Sequence, residues 1–244
     1  MTWNTACNAP GRRPALRSAG DFLRAEAPSV LEWMTRDGVG LARFCVVAVI
    51  AGAGLYGAAM GSWREPLQSL YTGIKLPLAI MLTTLGNGLL NGMLAPLLGL
   101  NVTLRQSLGL VLFGFAITSL ILGALSPVAW FVVWNTPPLN AATQLSSPEY
   151  GLLQLMLAVF IGAAGVTGCA RLWPLLRAWA GSARVGGKVL CAWLATNLFL
   201  GSQICWVLRP FIWDSAGPPR FIGREYLRGS FFETVFEAAR RLIS

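Results

Sequence analysis

Residues 106–134 read QSLGLVLFGFAITSLILGALSPVAWFVVW, and no charged residue occurs from Gln106 through Pro148. A run of about 18 or more apolar residues without charge is long enough to cross the hydrocarbon core as a helix. This stretch exceeds that length. Trp130 and Trp134 near its end suit the membrane–water interface. Pro127 is expected to kink the span or end it.

Four further stretches of the same kind surround it. The spans read as about 42–63, 71–100, 106–134, 150–170 and 189–208. A polar tail, 1–41, precedes this bundle of 42–213, and an amphipathic tail, 214–244, follows it. The expected fold class is an all-α, polytopic membrane bundle of about five helices with an amphipathic C-terminal helix.

The composition agrees. Of the 244 residues, 55% are hydrophobic and 12% charged, against about 25% charged in ordinary soluble domains. The charges collect at the two ends and in short connections. In the first 41 residues the apolar core of a signal peptide is missing near the start, so this segment reads as a cytoplasmic tail. Within it, Asp21 to Met34 is expected to form a short amphipathic helix with Phe22, Leu23, Val30, Leu31 and Met34 on its apolar side.

The net charge is +9. Nucleic-acid binding would need a basic patch on a soluble domain, and none is present, so no nucleic-acid partner is expected. The basic residues instead flank spans, where they meet anionic lipid head groups.

The spans carry two kinds of pattern. Gly57 and Gly61 form a GxxxG pair in the first span, and Gly162 and Gly165 lie on a small-residue face in the fourth. Small residues at these spacings allow helix backbones to approach closely in lipid, although glycine and alanine are also simply common in membrane helices. Thr84, Asn87 and Asn91 share one face of the second span, and Asn197 and Gln203 are the polar members of the fifth. That set reads either as a neutral pore lining or as interhelix hydrogen bonding. The second span is long, so tilt, a kink or a break near Gly86 to Gly92 is expected. Lys75 is expected to snorkel to the interface. With Arg209, Pro210 and Phe211 it marks a junction or partner contact.

Catalytic chemistry finds little support. The chain has no histidine, which excludes bis-His haem ligation, Ser–His proteolysis and His-ligated metal sites within it. All ten acidic residues lie outside the cores of the spans, so an intramembrane proton-carrying carboxylate and a paired-Asp protease are missing. The five cysteines form no CxxC pair and no zinc spacing. There is no P-loop and no dinucleotide fingerprint. No catalytic residue, cofactor or metal is expected.

Placing the N-terminus inside puts Arg43, Arg105, Arg171, Arg177, Arg184 and Lys188 on the cytoplasmic side, as the positive-inside rule asks. The C-terminal arginines, Arg209 onward, then fall outside, against that rule.

The layout resembles Yip1-type membrane proteins, in which a polar tail precedes five closely spaced spans. The local residues that carry it are Gly61-Ser62-Trp63 before the second span and Leu104-Arg105-Gln106-Ser107-Leu108 at the start of the third. The chain departs from the pattern in its long tail after Leu208. The resemblance implies a non-enzymatic membrane protein. The expectation is a scaffold or accessory subunit of a bacterial cytoplasmic membrane, working as a homo-oligomer or with other membrane subunits in the lipid bilayer. A channel or transporter for a neutral or small solute is the alternative, and a membrane-embedded enzyme the third.

Overall fold

The structure, a computed structural model, describes residues 19–24, 26–63, 65–136, 148–209, 221–222 and 232–233, without the side chains of 19, 21, 148–152 and 154. Among these residues there are seven helices and no strand: α1 (Ala19–Arg24), α2 (Ala27–Arg36), α3 (Gly38–Gly61), α4 (Pro66–Leu97), α5 (Leu104–Asn135), α6 (Pro148–Ala180) and α7 (Ala183–Leu208). The last five each hold a segment long and apolar enough to cross a membrane. The chain is a polytopic membrane bundle of helices joined by short connections.

The five long helices alternate in direction. α3 packs against both α4 and α5, α6 packs on α5, and α7 packs on α4 and α6. Helices α4, α5, α6 and α7 therefore form a ring, with α3 lying behind α4 and α5. Hydrophobic burial does not drive helices together in lipid, so close backbone approach matters instead. Glycine provides it here. A Cβ on Gly52 would run into the Ser119 carbonyl of α5, and one on Gly123 would lie 2.9 Å from Gly52 Cα. Toward α4, a Cβ on Gly57 of α3 would lie 2.5 Å from the Thr72 carbonyl oxygen and one on Gly61 2.6 Å from that of Gln68. Ser69 Oγ adds a bond to the Ala58 carbonyl at 2.7 Å.

Prolines lie inside three of these helices without ending them. Pro127 lacks the N–H that would bond the Gly123 carbonyl, and Ser126 Oγ donates to that carbonyl at 2.7 Å. A hydroxyl re-satisfying a freed backbone group in this way keeps a helix intact in lipid. α5 therefore runs through Pro127 to Asn135, so Pro127 does not end the span. α4 is likewise unbroken over its 32 residues, about 48 Å at 1.5 Å per residue. Its central glycines serve packing rather than a break: Gly88 and Gly92 receive Leu108 and Leu104 of α5.

Four helices extend past the expected spans for one reason, with α4 starting at Pro66 and α7 at Ala183. α3 begins at Gly38, capped by Asp37, whose Oδ1 accepts from Gly40 N at 2.9 Å. α6 continues past Arg171 to Ala180, and only Gly181 and Ser182 separate it from α7. Helices need not stop where hydrocarbon does, and the arginine stems tolerate the interface. The segment expected as one amphipathic helix over Asp21–Met34 is two, α1 and α2. They pack on the bundle through Phe22 and Val30, each 1% exposed. The Phe22 ring sits 4.9 Å from that of Phe44 and 4.8 Å from that of Phe113. Arg171 Nη2 donates to the Leu23 carbonyl.

Most of the expected C-terminal amphipathic helix lies outside the described residues. Two points of the tail after Leu208 are seen. Phe221 meets the Tyr71 ring edge-on at 5.5 Å, and Phe232 stacks on Phe199 of α7 at 4.9 Å.

Candidate functional site

The ring of α4–α7 borders a half-open cavity of about 370 Å³. Small residues open it. α5 and α6 touch where Gly168 meets Gly114, a Cβ on Gly168 lying 2.8 Å from the Gly114 carbonyl oxygen. One turn away, Gly165 borders the cavity and would meet nothing within 4 Å. Gly201 of α7 continues the opening, and the wall is predominantly apolar. No charged residue lines it among the described residues.

The polar groups at the wall fall into two sets. The hydroxyls are spent on backbone carbonyls: Thr83 on Ala79 at 2.8 Å, Thr118 on Gly114 at 3.1 Å and Ser202 on Phe199 at 3.0 Å. Asn87 Oδ1 accepts from Asn91 Nδ2 at 2.8 Å. The second set is unsatisfied. Trp193, only 3% exposed, has a buried indole N–H without a hydrogen-bond partner, and so does the buried Oδ1 of Asn197. Each such atom costs about 1–3 kcal/mol if left unmet. Both residues stand on α7, four apart, and both border the cavity.

The polar face of the second span is thus divided. Asn87 reaches the cavity. Thr84 and Asn91 are instead enclosed by protein, 3% and 0% exposed. Thr84 Oγ1 donates to the Ile80 carbonyl at 2.7 Å, and next to this face Ser107 Oγ of α5 donates to the Gly88 carbonyl at 3.1 Å. Asn197 joins Asn87 at the cavity, while Gln203 is half-buried and does not border it.

The other expected site residues lie elsewhere. Gly57 and Gly61 hold α3 to α4, whereas Gly162 and Gly165 contact nothing within 4 Å. Lys75 was expected at the interface and is 2% exposed, its ammonium 5.4 Å from the centre of the Phe221 ring. Phe221 lies over this ammonium, so Lys75 is enclosed by protein. Arg209 caps α7 in the left-handed region, φ 42°, with its guanidinium 4.8 Å from the Trp206 ring. Pro210 and Phe211 lie outside the described residues.

Trp193 was not singled out from the sequence. Its signal was available: Trp193, Asn197 and Gly201 recur every four residues on one face of an otherwise apolar helix. A second cavity of about 360 Å³ lies under α1 and α2, bordered by Phe22, Glu26 and Arg171. Among the described residues no three His, Cys, Asp or Glu side chains gather as metal ligands would.

Set beside known proteins, the chain matches no family model, no curated protein and no solved structure.

Proposed function

We propose that this integral membrane protein is non-enzymatic and acts by assembly, as a scaffold or accessory subunit joining copies of itself or other membrane subunits. One observation carries the reading. The apolar segment of α5 is 56% buried within the chain, but those of α6 and α7 are only 22% and 11% buried. The outer face of α6 presents Leu155, Val159 and Val166, 62%, 55% and 71% exposed, with Gly162 as a notch between them. A glycine that packs on nothing in its own chain offers a neighbouring helix close approach. The Yip1-type layout fits the same non-enzymatic role.

The helix order brings the α2–α3, α4–α5 and α6–α7 junctions to one end. Arg36, Arg43, Arg105, Arg171, Arg177, Arg184 and Lys188 lie at or near these junctions. Facing anionic cytoplasmic head groups, that end favours a cytoplasmic N-terminus.

The test is the mass of the particle and the chains that copurify in mild detergent. Assembly predicts a mass above one chain, reduced by Gly162→Leu. That substitution meets no atom of the same chain within 4 Å at its Cβ, so folding is expected to survive it. A strict monomer without partners contradicts the reading.

A second reading, a carrier for a neutral solute, draws on Asn87 and Asn197 at the cavity wall. Solute flux in liposomes, lost in Asn87→Leu, would favour it over assembly.

A further inference from the structure

We propose that the cavity within α4–α7 is a binding site for a neutral lipid alcohol, whose hydroxyl is held by Trp193 and Asn197. The inference stands apart from the assembly reading, since the outer face of α6 takes no part in it.

Three observations fix the class of ligand. The first is the wall, which is apolar and has no charged lining residue among those described. An ionised head group would be desolvated there without a counter-charge, a large cost in low dielectric. The second is the pair of unmet polar atoms. Trp193 Nε1 is a donor only, and Asn197 Oδ1 is an acceptor; both atoms are buried and without partners. Being four residues apart, they sit one turn apart on the same face of α7. A hydroxyl carries both of the groups this pair lacks, an acceptor for the indole N–H and a donor for the amide oxygen. An ether or ester accepts only, and leaves the amide oxygen unmet. The third is place and size. The cavity lies among helices that span the bilayer, and its volume of about 370 Å³ is that of a small-molecule site. An amphiphile already dissolved in the membrane can reach it with its head at α7 and its chain along the Leu and Ile wall.

The other hydrogen-bonding groups at the wall already have partners, so Trp193 Nε1 and Asn197 Oδ1 are the unmet pair among them. Thr83, Thr118 and Ser202 donate to backbone carbonyls, and Asn87 Oδ1 is taken by Asn91.

The experiment measures binding of tritiated 1-hexadecanol to the full chain in phosphatidylcholine nanodiscs, with unlabelled 1-hexadecanol, hexadecyl methyl ether and hexadecyl phosphate as competitors. Saturable binding of one alcohol per chain is expected. The methyl ether should compete about tenfold more weakly, the loss of one hydrogen bond, and the phosphate not at all. Trp193→Phe and Asn197→Leu should each weaken binding about tenfold, while Gly162→Leu leaves it unchanged. Absence of saturable binding overturns the proposal and leaves water or a partner's side chain as the occupant. Equal competition by the ether, or stronger competition by the phosphate, also overturns it. So does undiminished binding in both α7 variants. If a variant loses helical content, the alcohol–ether comparison on the unaltered chain decides alone. The particle mass is measured on the same samples, so a monomer that binds the alcohol separates this inference from the assembly reading.

Discussion

Glycines on the two small-residue faces behave in opposite ways in this protein. A Cβ at Gly57 meets the Thr72 carbonyl at 2.5 Å, whereas one at Gly162 meets nothing. Gly57→Ala is therefore expected to destabilise by about 1–3 kcal/mol through overpacking against a rigid backbone. Gly162→Ala should stay within about 0.5 kcal/mol. Reversible unfolding of the dilute protein in mixed micelles checks both. Sequence spacing identifies such faces, but only the packing tells which one is already used. The same holds for the polar residues. Thr84, Asn87 and Asn91 do share a face, yet Asn91 is fully enclosed and bonds Asn87 at 2.8 Å. Asn91→Leu should cost about 1 kcal/mol, the net worth of one hydrogen bond, here made within α4. It should leave any solute flux in liposomes unchanged; flux abolished by this substitution would return it to a pore lining.

Among the elements, span existence was legible and span ends were not. Charge-free length marks the hydrocarbon crossing, but α6 runs nine residues beyond Arg171 to Ala180, because a helix continues into the interface wherever its side chains permit. The start of α5 was legible in principle. Thr103 and Gln106 form a reciprocal capping box, with bonds of 2.8 and 3.3 Å, the S/T-x-x-Q signature of a helix start. The amphipathic stretch near Asp21 was also readable as helical, but its break between Arg24 and Ala27 has no strong sequence marker except Pro28. Docking of α1 and α2 hinges on Phe22 between Phe44 and Phe113. Phe22→Ala is expected to remove about 3 kcal/mol of packing. Limited proteolysis should then cut the N-terminal segment faster than in the unaltered chain, with the five long helices retained.

At the scale of the whole molecule, five long helices account for the chain's apolar content, and their order gathers basic residues at one end. The unbroken α4 removes the option of six spans that a break in the long second span would have allowed. Five crossings among the described residues put Gly38 and Leu208 on opposite sides of the membrane, so on the proposed orientation Arg209 lies against the positive-inside trend. Phe221 and Phe232 lie against α4 and α7, which places at least these points of the tail on the bundle. The direct measurement is protease protection of tags at the N- and C-termini in sealed vesicles of known orientation. Five spans predict that one tag is cleaved and the other protected, with the reverse in inverted vesicles. Two tags cleaved together, or protected together, would contradict the five-span bundle on which every later step depends.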